Sequence, residues 1–126
     1  MTLSNGPQAW TLEMGAGSAQ EWLFTITYPS TGALNPISGL TWEYVARTTP
    51  TSGGSPLISV TPTPNSQGVL TVGTAASTVL LSLYPAATSS LAGGQYSHAL
   101  WSNPGSASTA YTWLAGNLIV SGNPQP

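Results

Sequence analysis

Charge is almost missing from this 126-residue sequence: Glu13, Glu21, Glu43 and Arg47 are the only charged side chains, with no Asp and no Lys. Charged residues make up 3% of the chain, where an ordinary soluble domain carries roughly 25%. Without basic clusters a phosphate backbone cannot be neutralised, and a formal net charge of −2 leaves no electrostatic footprint for nucleic acid. Cysteine is absent, which removes disulfide frameworks and thiolate metal sites. The single histidine, His98, cannot make a zinc site without Cys, Asp or a second His, so no metal and no cofactor is expected. No run approaches the roughly 18 apolar residues that cross a bilayer, Val79-Leu80-Leu81 being the densest, so no membrane partner is expected. Residues 1–7 lack the basic and apolar regions of a secretory signal, which makes synthesis in the cytoplasm the expectation.

The same scarcity thins out catalysis. A paired-carboxylate hydrolase would need two of Glu13, Glu21 and Glu43 in one cleft, whereas lone glutamates on strands are usually solvated. A Ser-His-acid triad could use only His98, yet the sequence has no G-x-S-x-G elbow and too little helix to carry one. The chain is therefore expected not to be an enzyme. Glu43 and Arg47, four residues apart on one strand face, would stand about 13 Å apart, too far for a direct pair.

What is abundant is neutral polarity and punctuation. Ser and Thr, 17 each, must wet the surface, and little self-repulsion remains between copies, as suits a protein crowded into an assembly. Fourteen Gly and eleven Pro leave no window longer than about ten residues for helical periodicity. Strands fit between them. Residues 10–14 alternate, with Trp10, Leu12 and Met14 on one face. Residues 21–28 follow, with Trp22, Phe24, Ile26 and Tyr28 inward. Residues 41–48, 57–60, 69–72, 78–84, 95–101 and 113–120 complete about eight strands, the last two joined by a hairpin loop at 103–106. Residues 86–92 allow one helical turn, and Gly116 marks a bulge or a close backbone approach. The spacing predicts an all-β, antiparallel sandwich of about 7–8 strands, one domain over 1–126, with 1–9 and 121–126 as extended terminal arms.

His98 shares its face with Tyr96 and Leu100 and is expected as a hydrogen-bonded core residue. Trp22 and Trp42 alternate with polar residues and should fill the interior. Trp10, Trp101, Tyr111 and Trp113 are the candidates for protein docking anchors or, if coplanar and exposed, for stacking on sugar rings. A carbohydrate-binding module is the alternative that second use would imply.

The segment Leu91-Ala92-Gly93-Gly94-Gln95-Tyr96-Ser97-His98 resembles the approach to the penultimate strand of immunoglobulin-like sandwiches, with Gly94 and Tyr96 as a candidate tyrosine corner. His98 stands where antibody domains place a cysteine. An early aromatic strand (residues 22–28), the step at 36–41, a strand ending in Arg47, residues 79–83, the 91–96 corner and a final 114–120 strand follow in order. That order resembles small bacteriophage virion proteins related to the N-terminal domain of baseplate upper proteins. The resemblance implies a virion structural protein without catalytic residues, decorating the capsid or sitting in the neck, tail or baseplate. Its implied partners are other virion proteins and copies of itself.

Overall fold

The structure, a computed structural model, describes residues 1–4, 6–51 and 53–122. It is all-β. The strands are β1 (Thr2–Leu3), β2 (Gln8–Ala9), β3 (Leu12–Gly15), β4 (Gln20–Ile26), β5 (Trp42–Arg47), β6 (Ile58–Val60), β7 (Gly68–Gly73), β8 (Thr78–Leu83), β9 (Gly94–Ser102) and β10 (Tyr111–Ser121). One helical turn, α1 (Pro85–Thr88), sits where residues 86–92 allowed it.

Alternation decides which side of each strand is buried. In β5, Trp42, Tyr44 and Ala46 are buried while Glu43, Val45 and Arg47 are half-buried on the other face. In β9, His98, Leu100 and Ser102 point inward and Ser97, Ala99 and Trp101 outward. The strands form two sheets, one ordered β1-β4-β8-β7 and the other β2-β10-β9-β5-β6, with β3 also lying on β10. Phe24, Ile26, Leu70, Val79 and Leu81 from the first sheet share one apolar cluster with Tyr44, Leu100 and Leu118 from the second. Burying such aliphatic side chains contributes about 1.5–3 kcal/mol each.

Several expectations need correction. The sheets are mixed, because β1 runs parallel to β4, and both β2 and β3 run parallel to β10. Parallel neighbours need long connections, and these partners are far apart in sequence. Residues 1–9, expected as an extended arm, instead place β1 on the first sheet and β2 on the second, with Leu3 buried in the core. Of the arm expected over 121–126, Ser121 ends β10 and residues 123–126 lie outside the described residues.

Tyr28, expected inward, is 44% exposed. The strand ends at Ile26, Thr27 forms an isolated bridge to Leu34, and the Tyr28 amide donates to the Ala33 carbonyl in a turn. Trp113 also departs from its simple alternation. A register shift between Thr112 and Leu114 rotates it inward, so that Trp113 and Leu114 are both buried.

Candidate functional site

The outer face of β5, β9 and β10 carries the most distinctive surface. Strand register sets its layout in three rows. Glu43 and Thr112 flank Trp101, Val45 and Ala115 flank Ala99, and Arg47 and Asn117 flank Ser97. The middle row has small or short side chains, so the face sinks there. The resulting trough holds about 370 Å³ between Trp101, Val45, Arg47 and Ala115, with Pro7 and Pro50 on its rim. A second hollow of about 260 Å³ continues it past Glu43 and Trp101 to Pro104 and Gly105.

Two of the four charged side chains of the whole sequence stand on this face, including its only basic one. Both are held by hydrogen bonds. Arg47 Nη1 donates to the Gly54 carbonyl at 2.6 Å, and Glu43 Oε2 accepts from Ser59 Oγ at 3.0 Å. Trp101 is half-buried against the same trough.

His98 lies inside the core. A carbonyl can only accept, so Nε2 carries the proton and donates to the Trp10 carbonyl at 2.8 Å. Nδ1 then accepts from the Tyr44 hydroxyl at 2.9 Å. Burial pushes the Tyr44 hydroxyl far above the ordinary tyrosine range, which keeps it a donor. Burial likewise holds the His98 pKa below its ordinary value, opposed in part by the bond to Trp10. This arrangement occupies both ring nitrogens structurally. Among the described residues no three His or acidic side chains gather as a metal site would require, and no helix is long and apolar enough to cross a membrane.

The four aromatic candidates do not form one platform. Trp101 faces the trough, but Trp10 packs half-buried against the core and offers its carbonyl to His98. Trp113 is 8% exposed, and its indole N–H donates to Ser102 Oγ at 2.9 Å. Tyr111 is exposed, stands edge-on to Trp113 at 4.6 Å and 60°, and its hydroxyl accepts from the Gly6 amide at 3.0 Å. At the other candidate pair, the Tyr96 hydroxyl donates to the Ala92 carbonyl at 2.7 Å, the upstream backbone contact that a tyrosine corner makes. Gly94 opens β9 beside it. No single motif in the sequence marks the trough itself. Its signal was the coincidence of short residues, Val45, Ala99 and Ala115, in the outward phase of three separate strands, and the register needed to align them is invisible without the fold.

No family model matches the chain, and no curated protein matches it.

Proposed function

We propose that this chain is a non-catalytic docking module of a bacteriophage virion, an immunoglobulin-like sandwich that binds other structural subunits through its outer sheet face. The observation that carries the reading is the trough on β5, β9 and β10. A nearly uncharged protein places Trp101, Glu43 and its one Arg around a short-chained floor there. Trp and Arg are the side chains most enriched at binding hot spots. The neutral Ser and Thr elsewhere oppose close packing of subunits little.

The immunoglobulin-like part of the reading is supported by strand order. The order β4-β8-β7 corresponds to B-E-D, with β1 parallel to β4 at the edge where an antiparallel A strand would lie, and β10-β9-β5-β6 to G-F-C with one added strand. The Tyr96 contact falls at the start of the strand that corresponds to F. Buried His98 takes the place of the cysteine there and packs edge-on against Tyr44 of the strand corresponding to C, ring centres 5.6 Å apart.

The test is to purify particles of the phage that encodes this chain and measure its copy number by quantitative mass spectrometry. A fixed stoichiometry is expected, with Trp101→Arg failing to enter the particle although it folds. Absence of the chain from particles, together with a highly soluble monomer that binds no virion protein, would refute the reading.

A further inference from the structure

The outer face of β5, β9 and β10 is complementary to itself. Consider an axis lying in the plane of this face, crossing the strands at the level of Val45, Ala99 and Ala115. A half-turn about it lays a second copy over the first with its strands reversed, and each residue meets the one equally far beyond that middle row. Glu43 and Arg47 lie two residues on either side of Val45. Glu43 therefore meets the second copy's Arg47, and Arg47 meets the second copy's Glu43. Trp101 and Ser97 lie two residues on either side of Ala99, so each Trp101 descends on the other copy's Ser97 beside the short middle row.

We propose that two copies of this chain associate face to face through this trough as a twofold dimer. Charge selects this arrangement. Arg47 is the only basic side chain in the sequence, so no other face can offer side chains of both signs. An axis running along β5 would set Glu43 against Glu43 and Arg47 against Arg47, which like-charge repulsion disfavours, and one along β9 would set Glu43 against Thr112 and Arg47 against Asn117 and so pair no charges. Shape agrees with charge. The large residue of the β9 row stands at one end and the small ones at its centre and other end, so two rows packed head to tail fill each other's low ground. The bonds from Arg47 to Gly54 and from Ser59 to Glu43 already hold the paired side chains in place, which lowers the entropy lost on association. The inference deepens the docking reading by naming one partner of that face, and it rests on the face being an interface.

Sedimentation velocity across a concentration series tests it. The wild-type chain is expected to dimerise, and the dimer to weaken as salt is raised. Glu43→Arg and Arg47→Glu, each alone, set like charges opposite each other and should weaken association at least about tenfold. The double variant Glu43→Arg/Arg47→Glu restores opposite signs and should recover the dimer. Circular dichroism and melting curves establish that each variant folds. Should a charge variant fail to fold, Val45→Cys provides an independent readout, since the sequence has no other cysteine. Val45 lies on the axis, so a short bismaleimide should link two copies at position 45, whereas Glu13→Cys should not link. A wild-type monomer at the highest concentration, an unaffected single reversal, or no crosslink at position 45 overturns the dimer, including when a glycan or another virion protein occupies the face instead. A monomer that still enters particles refutes only the dimer, whereas a dimer absent from particles refutes the virion reading.

Discussion

His98 shows what one polar side chain can do inside a core of this kind. It joins three parts of the chain, the Trp10 carbonyl between β2 and β3, the Tyr44 hydroxyl on β5, and its own strand β9. Replacing it with Ala leaves a carbonyl and a hydroxyl buried without partners, at about 1–3 kcal/mol each, beside a cavity. Chemical denaturation of His98→Ala is therefore expected to show a loss of at least roughly 3 kcal/mol. The same site makes stability depend on pH. Because burial lowers the folded-state pKa of His98, the unfolded chain binds a proton that the folded chain refuses at pH values between the two. Its contribution is complete above the ordinary value of about 6.5 and declines as acidification passes through that value toward the folded one. Melting temperature should fall from pH 8 to 5.5 in the wild type, and this dependence should be flattened in His98→Gln. An equal slope in the variant would mean that another group titrates.

Between strands, two close contacts govern how elements meet. A Cβ on Gly116 of β10 would lie 2.5 Å from the Trp10 carbonyl oxygen, the same oxygen that His98 holds. Gly116→Ala should push the N-terminal strand off β10 and cost about 3 kcal/mol, read as a lower urea midpoint. Tyr96→Phe removes only the hydroxyl that holds residue 92 to β9, and about 1 kcal/mol is the expected loss. These elements differ in how openly the sequence announced them. The strands from β4 onward carry period-2 alternation between Gly, Pro and Ser turns, and Gly116 inside the last of them reads as a bulge or a close backbone approach, the second of which its contact with Trp10 bears out. β1 and β2 have two residues each, too few for any period, and parallel pairing leaves no hairpin turn to mark them. Trp113 was misplaced for a related reason. A bulge changes which face a residue takes without changing the residues around it, so Trp113 read as a candidate anchor while it fills the core. Trp101, whose strand stays regular, was legible as a docking candidate, but the trough beside it depends on three strands coming into register.

At the scale of the whole molecule, the N-terminal segment fastens the two sheets together. β1 covers part of the β4 edge in the first sheet, where the Thr25 amide donates to the Met1 carbonyl and the Thr27 amide to the Leu3 carbonyl. The chain then crosses to the second sheet, where β2 covers β10 and the Gly6 amide donates to Tyr111. Leu3 is fully buried between them. Deleting residues 1–9 removes the burial of one Leu, about 1.5–3 kcal/mol, together with several edge hydrogen bonds at about 1 kcal/mol each. It also bares Thr25 and Ile26 on the β4 edge and Leu114 and Ala115 on the β10 edge, while β3 stays on the rest of β10, and uncovered edges pair with other chains. Surface charge would ordinarily restrain such pairing, but Glu21 is the only charged residue on β4 and β10 has none. The truncated chain is expected to melt at least about 10 °C lower than the full chain and to aggregate as it does. The combination of Leu3→Ala with the full-length segment separates the two effects. If the edges matter as argued, Leu3→Ala lowers the melting temperature while the protein stays soluble on heating, and only the deletion aggregates. Equal aggregation of both would assign the role to the core alone.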